Sequence, residues 1–226
     1  MSDALRDRGE TVLAIDVAQG LERAELGLPE RAGALVILAH AGGSPETRND
    51  ALAVILRHAG IGTLTIDLLS VAENRFANVR SNVPLLTRRL LDGLSQVRLR
   101  MLLGEVPPLP IGLCASGECS PVALRVAAQR DQDIYAIVCR GGLIDLAGTV
   151  YLRALASPLL VLGDANDEPG TASNRRALAE VGCTRRLTIV PGSAAAPASA
   201  AVFESVARET ACWFVEHLRE GARAAD

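Results

Sequence analysis

The feature that most constrains the fold is a series of short β-rich runs separated by segments of helical spacing. Ala34-Leu-Val-Ile-Leu-Ala39 contains no polar residue. A strand apolar on both faces must be covered on both, as a central strand of a parallel sheet is. Gly62–Leu68, Leu109–Cys114, Tyr135–Cys139, Pro158–Gly163 and Arg186–Val190 are further strands by the same reading. Between them, Thr47–Ala59 repeats apolar residues at Ala51, Ala53, Val54 and Leu56 and stops at Gly60, which predicts a helix. Val83–Leu102, Ser120–Arg130 with Pro121 in its first turn, Thr171–Glu180 and Ala200–Arg219 are helical too. Val12–Val17 is a strand, Gln19-Gly20 a turn, and Leu21–Leu28 alternates like a half-exposed antiparallel strand. Strand–helix alternation after an antiparallel start predicts an α/β fold, mostly parallel, with helices on both faces. There is no repeat or linker, so 11–220 is expected to be one domain between a tail at 1–10 and a frayed end at 221–226.

Composition fits one large domain. The 226 residues are 49% apolar but only 3% aromatic, so the core must be aliphatic. Every basic residue is Arg, which excludes Schiff-base chemistry through lysine. A net charge of -3 without a basic run speaks against nucleic acid as a partner. Five scattered cysteines with no Cys-x-x-Cys pair read as reduced thiols, and the charged first residues hold no signal core. No apolar run approaches the ~20 residues that span a bilayer. The expectation is a soluble cytoplasmic protein with no membrane partner, and a homodimer stays open.

Ligands on parallel sheets bind at the carboxyl ends of the strands, so the loops there carry the functional reading. His40-Ala41-Gly42-Gly43-Ser44 follows the first central strand, and its backbone N–H groups at Ala41 and Gly42 suit half of an oxyanion hole. His40 itself reads as a hydrogen-bonded structural residue. Ile111-Gly112-Leu113-Cys114-Ala115-Ser116-Gly117-Glu118-Cys119-Ser120-Pro121 runs from strand through small residues into helix, as a nucleophile elbow does.

These segments resemble an α/β hydrolase of the dienelactone-hydrolase-like group. The resemblance rests on the His40–Ser44 loop, Arg48-Asn49, Asp67-Leu68-Leu69, Asn82-Val-Pro-Leu-Leu86, Pro110-Ile-Gly112, Cys139-Arg-Gly-Gly142 with Asp145-Leu-Ala-Gly148, and Val190-Pro-Gly192. It runs from about residue 10 to 218, and its weight lies in the order and spacing of the motifs. It implies an eight-stranded sheet and a triad in chain order nucleophile, acid, histidine. Counting back from Asn174-Arg175 puts the family's acid on Asp167, with Asp164 as fallback. The family's histidine falls at Ala195 or a neighbour, and Gly192–Ser199 contains no histidine. His58 and His217 lie late in helices, where a histidine is usually a surface residue complementing the dipole.

Three elbow registers stay open. Ser116 as nucleophile would be flanked two residues away by Cys114 and Glu118, and glutamate is bulky there. Cys114 would be flanked by Gly112 and Ser116, which favours it over Ser116 on sterics but shortens the strand. The ungapped register puts Gly117 at the tip between Ala115 and Cys119, with no nucleophile. The resemblance then implies a fold retained with a degenerate triad: a weakly active or non-catalytic pseudoenzyme that binds a small ester, lactone or carboxylate without a cofactor. The alternative is an active ester or lactone hydrolase using Cys114 or Ser116, assisted by Glu118 or Asp167. Local drift in an active lineage would also fit the alanine-rich run from Ser193. No histidine pair has metal-ligand spacing, and no phosphate-binding loop is present. Ser70–Val83 and Leu143–Leu155 are expected to cover the pocket.

Overall fold

The computed structural model describes residues 11–14, 24–42, 46–130, 132–195 and 199–225, with the backbone alone at 11–14, 46–50 and 220–225. The expected tail at 1–10, the Gln19-Gly20 turn, Gly43 and Ser44 lie outside the described residues, as do 196–198. Eight strands are described: β1 (Thr11–Ala14), β2 (Ala24–Leu28), β3 (Ala34–His40), β4 (Ile61–Asp67), β5 (Ile111–Ser116), β6 (Ile134–Arg140), β7 (Leu159–Asp164) and β8 (Arg185–Val190). They make one sheet in the order β1-β2-β4-β3-β5-β6-β7-β8. Only β2 runs against its neighbours, pairing antiparallel with β1 and β4; every other pair is parallel. This is the mostly parallel, eight-stranded sheet with an antiparallel start that the sequence leads one to expect.

The helices are α1 (Glu46–His58), α2 (Ala77–Arg80), α3 (Val83–Leu102), α4 (Ser120–Gln129), α5 (Thr149–Arg153), α6 (Glu168–Leu178) and α7 (Ala200–Ala225). The apolar strands alternate their side chains between two cores, one on each face. Leu35, Ile37 and Ala39 of β3 join Leu86, Leu90 and Leu94 of α3 and Val122, Ala123 and Val126 of α4. Val36 and Leu38 join Leu52 and Leu56 of α1 and Val206, Trp213 and Phe214 of α7. Each leucine so buried contributes roughly 1.5–3 kcal/mol. Helix starts follow their caps: the Asn82 side chain accepts from Leu85 N at 3.1 Å and Pro84 occupies the first turn of α3.

The chain leaves β3 through α1 to β4 on one side. It then returns through α3 on the opposite face to β5 on the other side of β3. Strand order therefore reverses at β3, and sheets of this kind bind ligands at such a point, in a crevice outside the carboxyl ends of the strands.

Three differences from the sequence reading affect the site. Strand β5 begins at Ile111, after Pro108 and Pro110, and runs on through Ala115 and Ser116, two residues past the expected end. Short helical turns at Glu73–Arg75, α2, Ile144–Ala147 and α5 occupy the two segments read as pocket covers. Helix α7 continues to Ala225 through the stretch expected to fray, because Ala222, Arg223, Ala224 and Ala225 are strong helix formers.

Candidate functional site

The turn that ends β5 is the centre of the crevice. Ser116 is still extended, with φ -121° and ψ 140°. Gly117 follows at φ +54° and opens the short helical turn Gly117–Cys119 that feeds α4. A left-handed residue between strand and helix is the tip of the elbow, and at that angle glycine is the unstrained residue. Gly117 is thus the left-handed residue between strand and helix, while Cys114 and Ser116 lie within β5. Cys114 is a strand residue with no solvent exposure, among Val36, Leu38, Val138 and Leu160. Burial pushes its thiol up, against a smaller opposing pull from Arg140. Sterics at the flanking positions favoured Cys114, but the longer strand carries it below the turn. Ser116 ends the strand half-buried, paired in register with Arg140.

The next strand end braces the elbow. Gly142, at φ +79°, lies so close to the turn that a Cβ there would be 2.0 Å from the Gly117 carbonyl oxygen. Asn174 of α6 is buried and holds this segment from both sides, donating to Gly142 O at 2.9 Å and accepting from Ile144 N at 3.0 Å. Ser120 Oγ donates to Gly141 O at 2.7 Å. Arg125 of α4 donates to Ala147 O at 2.8 Å, and Ser173 to Asp145 at 3.0 Å. Sequence reasoning missed this brace. Asn174-Arg175 served only as a counting mark, although a polar residue within an apolar helix face was the signal available.

The loop after β3 is held by Asp67 at the end of β4. Its Oδ1 accepts from Gly42 N at 2.9 Å and from Leu69 N at 3.0 Å. The Gly42 N–H, expected to serve an oxyanion hole, is thus committed to a carboxylate. Ala41 beside it is half-buried and packs on the first core. His40 Nδ1 lies 3.7 Å from Asp67 Oδ2. Burial holds the imidazole below its usual pKa, Asp67 opposes this, and Arg140 adds to it. The sequence reading expects a hydrogen-bonded histidine here, but at 3.7 Å from Asp67 its Nδ1 is buried without a hydrogen-bond partner among the described residues. On the far wall, Arg89 bridges Glu73 Oε1 at 2.6 Å and Leu68 O at 2.8 Å. Arg89 and Ser70 together draw the Glu73 carboxyl down to about 2, with the Arg89 hydrogen bond as the larger cause. Asn74 in the same turn lies against Gly42.

The loop after β8 faces the elbow. Among the described residues, a Cβ on Gly117 would meet only the Ala195 methyl, at 3.9 Å. One on Gly141 would meet that methyl at 3.0 Å and Ala195 N at 3.2 Å. Ala194 is fully buried in the second core, and its N–H donates to Asp164 Oδ1 at 2.6 Å. The carboxylate directed at this loop is therefore that of Asp164, the last residue of β7. Asp167 is exposed and caps α6 by accepting from Gly170 N at 3.0 Å. His58 is exposed at the end of α1. His217, expected on the surface, is instead buried against Trp213, ring centroids 4.2 Å apart. Among the described residues no group of His, Cys, Asp and Glu side chains is placed to hold a metal ion. No described helix is long and apolar enough to cross a membrane.

This architecture has known counterparts. Dienelactone hydrolase from Anabaena variabilis superposes with a TM-score of 0.81 at 28% identity, covering 92% of this chain and 97% of that one. A fungal esterase from Rhizomucor miehei does so with a TM-score of 0.72 at 12% identity, covering 93% and 84%. The chain is an α/β-hydrolase-fold protein. Of these two structures, dienelactone hydrolase is the more similar in both fold and sequence. It is also 32% identical over 195 residues to proteins from two strains of Mycobacterium tuberculosis named "Putative phosphoribosyl transferase". The match covers 85% of this chain but 43% of those relatives, so the chain spans less than half their length. No family model matches the chain.

Proposed function

We propose that this protein uses the α/β-hydrolase fold without acyl-transfer catalysis and binds a small ester, lactone or carboxylate in the crevice beside Gly117. The observation that carries this reading is the facing pair Gly117 and Ala195. Acyl transfer needs a nucleophile and a base within hydrogen-bond reach of each other. A hydrogen atom and a methyl group supply neither. Two further facts support it. Cys114, the most reactive residue type near the turn, is buried with its thiol pushed up, so little thiolate is present near neutral pH. His40, the histidine on the crevice strands, is placed against Asp67 at a different strand end from the elbow. The Ala41 N–H, next to the turn, is the remaining candidate for holding a carbonyl or carboxylate oxygen.

The name of the longer relatives does not enter this reading, since this chain spans 43% of their length. A reducing, cytoplasmic setting is part of the proposal, supported by Cys114, Cys119, Cys139, Cys183 and Cys212 all being free.

The test is turnover of short-chain aryl esters and of a dienelactone. The expected result is a rate equal to buffer, together with thermal stabilisation by a short-chain carboxylate or a lactone. Saturable turnover that Cys114→Ala or Ser116→Ala abolishes would overturn the non-catalytic reading.

A further inference from the structure

We infer that Asp164 is a tether and the Ala194-Ala195 segment a plug, the carboxylate holding the Ala195 methyl against the elbow in the space that a catalytic imidazole would need, beside the ligand space and not across it. The inference rests on the reading of Gly117 and Ala195 as the positions that have lost their reactive groups. In a working triad the acid faces an imidazole and orients it. Here the carboxylate at the end of β7 is joined instead to the backbone. The Ala194 N–H donates to Asp164 Oδ1 at 2.6 Å, a short, charge-assisted bond. One residue further, the Ala195 methyl lies 3.9 Å from the point where a side chain on Gly117 would begin and 3.0 Å from the same point on Gly141. An imidazole and a hydroxyl hydrogen-bonded to each other need more room than a methyl contact leaves. Ala195 therefore stands against the tip, and Ala194 is sealed into the second core with no exposure. Asp164 thus acts as a positioning residue for the loop.

Two measurements test this, with independent failure modes. In the otherwise unaltered chain, hydrogen exchange at Ala194 reads the tether. Asp164→Ala is expected to speed exchange of that amide at least tenfold. Asp164→Asn, whose side-chain oxygen still accepts, should stay within about threefold of the parent. Gly117→Cys places a thiol at the tip, and its alkylation by iodoacetamide reads the plug. The thiolate displaces iodide, and peptide mapping separates this site from the native cysteines. Alkylation is expected to be at least tenfold faster when Asp164→Ala is added, and close to the parent rate with Asp164→Asn.

Unchanged exchange at Ala194 in Asp164→Ala would overturn the tether even if the cysteine variant failed to fold. Equal alkylation with and without Asp164→Ala would overturn the plug. Ester turnover by the unaltered chain would instead overturn the non-catalytic reading and leave the hydrogen bond to Ala194 as it stands, so the two failures are distinguishable.

Discussion

The two sides of the elbow differ in what has been kept. On the β6 side, side chains from α4 and α6 bond to the backbone from Gly141 to Ala147, and Gly142 closes onto the Gly117 carbonyl. On the β8 side, the loop presents Ser193, Ala194 and Ala195, joined to the fold by Asp164 and by burial of Ala194. The first side is held by groups that would be buried and unsatisfied if any partner were lost. The second lacks a side chain that transfers protons, and that residue type contributes little to folding. The shape of such a turn and the chemistry it can carry therefore rest on different residues.

The largest test of this contrast is Gly142→Ala. Its Cβ would be 2.0 Å from the Gly117 carbonyl oxygen, a backbone atom that cannot yield without moving the turn, and φ is +79°. Loss of about 3 kcal/mol or more is expected in denaturant unfolding. Next comes Asn174→Ala, which leaves the Ile144 N–H and the Gly142 carbonyl without their side-chain partner. About 2 kcal/mol is expected, since an unmet buried polar group costs roughly 1–3 kcal/mol. A loss below about 0.5 kcal/mol in either variant would mean that the β6 side is no firmer than the other. Gly117→Ala should cost only about 1 kcal/mol, from placing a Cβ at positive φ, because the added atom meets just the Ala195 methyl at ordinary contact distance. Gly117→Ser should cost about the same and still leave ester turnover at buffer level, since no imidazole in this loop can take the hydroxyl proton. Turnover by that single variant would reveal a base that the geometry of the β8 loop does not suggest.

The same division explains what could be read in the sequence. Fold class, strand number and the antiparallel start follow from apolar periodicity and resemblance, because a strand buried on both faces leaves an unbroken run such as Ala34–Ala39. That Gly192–Ser199 holds no histidine was legible as well. The elbow register was not. Cys114, Ser116 and Gly117 lie within four residues of one another, and only the point where strand pairing stops distinguishes them. That point depends on β5 pairing with β3 through Ala115 and with β6 through Ser116, which are contacts between distant parts of the chain. The surroundings of the two candidate acids were not legible either. Asp164 and Asp167 both fit an acidic loop after a strand, but one faces the crevice while the other caps a helix, and side-chain direction is set by the turn between them. The Asn174 brace joins residues some thirty positions apart, so a polar residue on an apolar helix face marks Asn174 but not its partners.

The smallest expected effect lies on the wall opposite the brace. Glu73 has a folded-state pKa of about 2 against an ordinary value of 4.5, chiefly because Arg89 hydrogen-bonds its charged form. A depressed carboxylate contributes stability that is fully present above pH 4.5 and is lost as the pH falls towards 2. The pair is partly exposed, with side-chain accessibilities of 15% for Arg89 and 32% for Glu73, so solvent screens it and its contribution stays below about 1 kcal/mol. Glu73→Gln should therefore change neutral-pH stability little while flattening the acid limb of the stability profile. If the site walls differ as argued, this variant leaves hydrogen exchange at Ile144 untouched, whereas Asn174→Ala accelerates it at every pH. Faster exchange at Ile144 in Glu73→Gln would mean that the two walls are coupled through the elbow and that the brace is not local.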